Sequence, residues 1–127
     1  AVAEYELAAS LYGGDLLADD PYEDWPVLAR ERLRLDHLDV LDRLSRLHFD
    51  QARYGASASL CLDVLERDAC REDAHRRLIR CYSRQGHPHL ALRQYRTCAA
   101  ALRDELDVDP APATVGLHEA VRRHQPV

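Results

Sequence analysis

The 127-residue sequence contains no methionine and no lysine, and all 17 of its basic residues are arginine. No apolar run approaches the roughly 18 residues that a membrane-spanning helix needs. The first residues also lack the basic start and apolar stretch of a secretion signal. We therefore expect a cytoplasmic protein with no membrane contact. The missing initiator methionine predicts a fragment of a longer chain, with further domains beside it.

Motifs that carry chemistry are also missing. No H-E-x-x-H, G-x-S-x-G, P-loop or G-x-G-x-x-G occurs. The 4 cysteines include no C-x-x-C pair, so we expect buried free thiols. Of the 7 histidines, His87 and His89 lie in a predicted turn, and all are expected to have structural or surface roles. We predict no catalytic residue, no cofactor and no metal, and a metal-dependent hydrolase is the weakest of three hypotheses.

What the sequence does contain is helical periodicity. No segment alternates with a period of two, so we predict an all-α protein. Gly55 is expected in a turn, and Thr114 is expected to cap the last helix. The predicted helices cover residues 2–12, 27–52, 56–67, 73–85, 89–106 and 114–123.

Two sets of apolar residues define expectations for the first part of the chain. One set has helical spacing and predicts a single buried stripe on the helix over 27–52: Leu28, Leu35, Leu38, Leu41 and Leu44. The other set is expected to hold the loop over 15–26 against the helices: Leu16, Leu17, Tyr22 and Trp25. Trp25 is also a candidate partner anchor, but a lone tryptophan among apolar neighbours more often packs against its own domain.

The sequence resembles itself weakly at an offset of 34 residues. The matched pairs are Leu44 with Leu78, Ala52 with Gly86, Ser57 with Ala91, Cys61 with Tyr95 and Val64 with Cys98. An offset of 33 also matches some positions, such as Phe49 with Tyr82, so the register is open by one residue. This period is typical of the tetratricopeptide helix pair. We predict repeats over 38–71 and 72–105, packed as antiparallel pairs in a short right-handed solenoid.

The repeat assigns scaffold roles to particular residues. Gly86 ends a helix where a positive φ is expected. Ala91 is placed where the two helices of a pair cross at close range, with Tyr82 and Tyr95 around it. Leu44 and Leu78 are the equivalent buried leucines of the two repeats.

The net charge of −5 is unevenly distributed. Residues 71–103 hold 8 arginines against 2 acids, whereas residues 1–70 hold 7 arginines against 15 acids. In the basic segment, Arg76, Arg80 and Arg84 stand four apart on one helix face, which the repeat register turns to the concave side. They are candidates for contact with a carboxylate-bearing peptide or a phosphate. The alternative is internal pairing across neighbouring helices, of Asp42 with Arg76 and Asp50 with Arg84.

Three stretches resemble a known family: LYGGDLLADDPYEDW at 11–25, REDAHRRLIRCYSRQGHPHLALRQY at 71–95 and LRDELDVDPAPATVGLHEAV at 102–121. They are similar to the bacterial transcriptional activator domain of the Streptomyces antibiotic regulatory proteins and related regulators. The resemblance runs from about Leu7 to Val121. Three positions depart from the family pattern: Ala52 and Asp107, where a glycine is usual, and Ala69, where a proline is usual.

The resemblance implies a tetratricopeptide-like helical domain that follows a winged-helix DNA-binding domain. It implies three partners: that adjacent domain, a second copy in a homodimer, and RNA polymerase. The leading hypothesis is a regulatory domain of a transcriptional activator, without sequence-specific DNA binding of its own. The second hypothesis is a general peptide-binding scaffold in a signalling protein.

Overall fold

The computed structural model describes residues 24–127, and this part of the chain contains helices and no strand. The all-α prediction is confirmed, while the right-handed sense of the solenoid stays a prediction. The predicted helix over 2–12 and the predicted anchors Leu16, Leu17 and Tyr22 lie outside the described residues. The helices are α1 (Val27–Asp50), α2 (Tyr54–Arg67), α3 (Glu72–Arg84), α4 (Pro88–Leu106) and α5 (Pro112–Arg122).

Two local predictions are wrong. Gly55 lies inside α2 and not in the turn before it. Thr114 does not cap α5, because this helix begins at Pro112 and Ala111 occupies the N-cap position. Proline suits the first helical position, where no backbone donor is needed, and this moves the start of α5 two residues earlier.

Each helix packs against the next one along the chain, and α3 also contacts α1 and α5. Buried apolar residues form three clusters along this stack. The first joins Leu38 and Leu41 to Val64 and Ala74, and the second joins Ala58 and Cys61 to Leu78 and Cys81. The third contains Ile79, Ala91, Leu117 and Val121. The core therefore runs continuously from α1 to α5, with α3 at its centre.

The leucine stripe of α1 is buried only in its second half. Leu38, Leu41 and Leu44 are buried, but Leu28 is 84% exposed and Leu35 is 51% exposed, contrary to expectation. The two helices of the pair differ in length, since α1 has 24 residues and α2 has 14. At 1.5 Å per residue, α1 is longer by roughly 15 Å, so its first turns extend beyond α2.

Trp25 lies at this extended end. The side chain is 47% exposed, so it is less covered than the sequence predicted. It lines a surface recess of about 540 Å³ together with residues of the first turns of α1, among them Leu28, Arg32 and Leu33.

The turns that close the two helix pairs have the same backbone structure at an interval of 34 residues. Ala52 has φ +58° and Gly86 has φ +80°. The amide of Arg53 donates to the carbonyl of His48 at 2.8 Å, and the amide of His87 donates to the carbonyl of Tyr82 at the same distance. The turns thus agree with the 34-residue offset and not with 33. The repeat boundaries at 38–71 and 72–105 stay a prediction.

Exchanging glycine and alanine in these two turns is expected to change the free energy of unfolding in opposite directions. Gly86→Ala is expected to lower the free energy of unfolding by about 1 kcal/mol, because a Cβ disfavours the left-handed region. No atom lies within 4 Å of that Cβ, so the cost is conformational and not steric. Ala52→Gly is expected to raise the free energy of unfolding by about 0.5 kcal/mol. Urea unfolding followed by circular dichroism measures both.

Gly116→Ala is the matched control, since Gly116 lies within α5 and its added Cβ would also meet open space. There the substitution should stabilise by up to about 1 kcal/mol, because alanine favours helix. Equal signs for Gly86→Ala and Gly116→Ala would contradict the left-handed assignment of the turn.

Candidate functional site

The arginines of the basic segment cluster on α3. Arg76, Arg80 and Arg84 follow one face of the helix, and Arg77 lies beside them. The opposite side of α3 carries the buried residues Ala74, His75, Leu78, Ile79 and Cys81. Arg77 contacts α1 and Arg76 contacts α5, so the row lies between these two helices. We refer to Arg76, Arg77, Arg80 and Arg84 as the arginine row.

Arg77 forms the strongest polar link of the row. One of its Nη atoms donates to Asp42 Oδ1 and to Ser45 Oγ, each at 2.8 Å. Both charged side chains are nearly covered, with 11% and 12% exposed. Burial alone would lower the pKa of the Arg77 guanidinium, but the hydrogen bond and the charge of Asp42 outweigh it and raise that pKa. Arg77 is therefore a structural cation that ties α3 to α1.

Arg76 takes part in the contact that holds α5. Its Nη1 donates to Thr114 Oγ1 at 3.0 Å and lies 3.7 Å from Glu72 Oε2. The same Glu72 oxygen accepts from Thr114 Oγ1 at 2.6 Å and from the amide of Ala111 at 3.0 Å. A carboxylate at a helix start satisfies amides that the helix itself leaves unbonded. Glu72 thus acts as a cap supplied to α5 by another helix.

Arg84 supports the turn between α1 and α2. Its Nη1 donates to the hydroxyl of Tyr54 at 2.8 Å. The guanidinium carbon lies 5.4 Å from the ring centroid of Phe49 and 5.6 Å from that of Tyr54. Such contacts are within the range of cation–π attraction. Arg84 is therefore engaged within the domain.

Arg80 differs from the rest of the row. It is half-buried, and within residues 24–127 it forms no hydrogen bond and no ion pair. Burial lowers the pKa of its guanidinium, and the positive charges of Arg76, Arg77 and Arg84 lower it further. Of the three predicted contact residues, Arg80 alone has no partner within that part of the chain.

The predicted internal pairing is wrong in its partners. Asp42 pairs with Arg77 instead of Arg76, and Arg84 bonds to Tyr54 instead of Asp50. The reason is that Arg76 instead donates to Thr114 of α5 and lies beside Glu72 of its own helix, α3. Sequence reasoning missed Arg77, although Asp42 and Ser45 beside a buried leucine stripe were a signal of a polar network.

The residues with a predicted scaffold role lie on α1, α3 and α4 and in the turn after α3. That role stays a prediction. Leu44, Leu78 and Ala91 are buried. Tyr82 and Tyr95 are partly buried against the cluster that contains Ala91. The Tyr95 ring also stacks on His118 of α5, with ring centroids 3.8 Å apart, which the sequence did not indicate.

His75 is a buried histidine held in one tautomer. Its Nε2 lies 2.8 Å from the carbonyl of Ala69 and therefore donates, and its Nδ1 lies 2.9 Å from the side-chain Nε2 of Gln94 and therefore accepts. Burial lowers the pKa of His75 below the ordinary value of 6.5, and the Ala69 bond opposes this only in part. The lowered pKa and the hydrogen bond that Nδ1 accepts both favour the neutral ring.

Because the pKa of His75 is lowered, we expect the free energy of unfolding to fall in acid. The unfolded state gains a proton below pH 6.5 while the folded state resists it, so stability is complete above that pH and falls below it. One histidine changes the free energy of unfolding by at most about 1.4 kcal/mol per pH unit. Urea unfolding between pH 7.5 and 5 should show it, and His75→Gln should reduce the slope. The exposed His89→Gln is the control, and equal slopes in the two variants would refute the assignment.

The other candidate groups are the possible metal ligands and the cysteines. Within residues 24–127, no group of His, Cys, Asp or Glu side chains is arranged to hold a metal ion. The cysteines are free thiols, and Cys61, Cys81 and Cys98 are buried, while Cys70 is partly exposed. Burial raises the pKa of the Cys61 and Cys98 thiols to about 11. Over the same described range, every helix is too short or too polar to cross a bilayer.

Comparison with known proteins identifies the family. Residues 1–122 match the model of the bacterial transcriptional activator domain. No curated protein and no solved structure matches the chain. The match covers nearly the whole sequence and agrees with the helical fold and with the three resembling stretches. The chain belongs to the bacterial transcriptional activator domain family.

Proposed function

We propose that this chain is the regulatory, protein-contacting domain of a transcriptional activator in the cytoplasm. It positions an adjacent winged-helix DNA-binding domain and contacts either a second copy of itself or RNA polymerase. It performs no reaction and does not bind promoter DNA specifically by itself. The family supports this role, since its members act in transcriptional activation.

The contact surface in this proposal is the face of α3 that carries Arg76, Arg80 and Arg84. Arg76 fixes α5, and Arg84 fixes the turn after α1, so these two residues shape the surface. Arg80 faces the partner. The observation that carries the proposal is that Arg80 lacks an internal partner within residues 24–127 while its neighbours are engaged.

Two measurements test this function. The reading frame upstream of Ala1 should encode a winged helix. In transcription assays with purified polymerase, the full-length regulator should activate its promoter. A version that ends before Ala1 should bind the promoter and fail to activate. Equal activation by the shortened regulator would contradict the proposal.

The Arg80 guanidinium, which has no partner within residues 24–127, also fits a second function, a peptide-binding scaffold in a signalling protein. This alternative predicts a parent chain without any DNA-binding region. The upstream reading frame therefore separates the two functions.

A further inference from the structure

The chemistry that α3 offers to a partner is concentrated at one residue. Arg80 stands four residues from Arg76 and Arg84 and three from Arg77, in the middle of the arginine row. The Arg80 side chain is partly buried, and within residues 24–127 no group accepts a hydrogen bond from its guanidinium. Its N–H donors are therefore available to acceptors from a partner molecule.

The nearby carboxylates are already used by other groups. Asp42 accepts from Arg77 with one oxygen, and its other oxygen lies 3.6 Å from Arg46. One oxygen of Glu72 serves Ala111, Thr114 and Arg76 together. Arg80 is thus surrounded by like charges and has no counter-ion within residues 24–127. An added anion would be attracted by all four guanidinium groups.

We propose that Arg80 binds a side-chain carboxylate from an acidic segment of a partner protein. The inference rests on the proposed partner-contacting role of α3 and names the chemistry of the partner. The planar guanidinium matches a carboxylate through two parallel N–H···O bonds. Within residues 24–127, Arg80 is the one arginine of the row without a partner, so the row can bind one carboxylate in this way.

The net charge of the chain and the small number of available arginines favour a carboxylate over a nucleic acid as the ligand. Binding of duplex DNA draws on many available cations that neutralise successive phosphates. Here Arg76, Arg77 and Arg84 are held by partners within the domain. The whole chain also carries a net charge of −5, which repels a long polyanion. A short acidic segment meets the positive centre of α3 without covering the acidic parts of the chain.

The test measures fluorescence anisotropy of a labelled peptide of alternating glutamate and serine, added to the 127-residue chain. We expect wild-type protein to bind this peptide at low salt and Arg80→Gln to bind it at least tenfold more weakly. The peptide with glutamine in place of every glutamate should not bind. Arg80→Gln should retain its melting temperature or raise it, because the substitution removes repulsion and no internal bond.

Arg93→Gln is the matched control, since Arg93 is exposed on α4 and the charge change is the same. It should leave peptide binding unchanged. Equal binding by wild type and Arg80→Gln would overturn the proposal, as would failure of wild type to bind. Stronger competition by inorganic phosphate than by the peptide would overturn it in favour of a phosphate ligand. Loss of duplex DNA binding or of dimerisation as the main effect of Arg80→Gln would equally overturn it.

Transcription assays with the full-length regulator separate this inference from the proposed function. Arg80→Gln with normal peptide binding and lost activation would refute the carboxylate site and leave the regulatory role intact. Arg80→Gln with lost peptide binding and full activation would support the site and contradict its part in activation.

Discussion

Ala91→Trp is expected to destabilise the protein by about 3 kcal/mol or more, at the upper end of the range for overpacked cores. Ala91 is 1% exposed and packs with Ile79, Leu117 and Val121. Partly buried Tyr82 and Tyr95 close the remaining sides of this cluster. An indole has no space there unless α3 and α5 move away from α4. Thermal and urea unfolding followed by circular dichroism measure the loss.

Ala100→Trp is the matched control, because Ala100 is exposed on the same helix. It should change the free energy of unfolding by no more than about 0.5 kcal/mol. An unchanged melting temperature for Ala91→Trp would contradict the packing of the second helix pair.

Asp42→Ala is expected to lower the free energy of unfolding by about 3 kcal/mol. Removing one member of a buried ion pair leaves the other charge uncompensated, and this costs more than the pair contributes. In Asp42→Ala, the Arg77 guanidinium keeps only Ser45 as its partner among the contacts described above. The double variant Asp42→Leu with Arg77→Met should recover most of the loss, since neither charge then remains.

A second ion pair of α1 provides the control. Asp39 lies 3.7 Å from Arg71, but the Asp39 side chain is 58% exposed. Asp39→Ala should therefore change the free energy of unfolding by less than about 1 kcal/mol, as is usual for solvated pairs. A similar loss in both variants would show that the Arg77 pair is not the structural link between α1 and α3.

Periodicity was sufficient to predict most of the fold from the sequence. Apolar spacing and turn residues located the helices from Val27 onwards, with ends wrong by at most two residues. Ala91 is buried and Gly86 has a positive φ, and these are two positions where backbone geometry restricts which residues fit. The exposed leucines of α1 were not predicted, since spacing indicates a helix face without indicating how far the neighbouring helix extends.

The polar contacts were harder to predict. Arg76 and Arg77 are adjacent in sequence but about 100° apart around α3, so a small rotation decides which of them meets Asp42. The contact of Glu72 with Thr114 joins residues 42 positions apart, and no local pattern reports it. The free state of Arg80 depends on where every neighbouring carboxylate is engaged. Local spacing therefore identified Arg76, Arg80 and Arg84 but not Arg77, and it did not show which of them has no partner within residues 24–127.

The position of α3 has a consequence for the strength of binding. This helix contacts each of the other four helices, so its backbone is held in place on the side opposite the arginine row. A ligand that meets an already ordered surface loses little affinity to immobilising the receptor. The conformational entropy lost on binding would then come mainly from the acidic segment itself. Among competing acidic segments, those that are already rigid before binding would have the higher affinity.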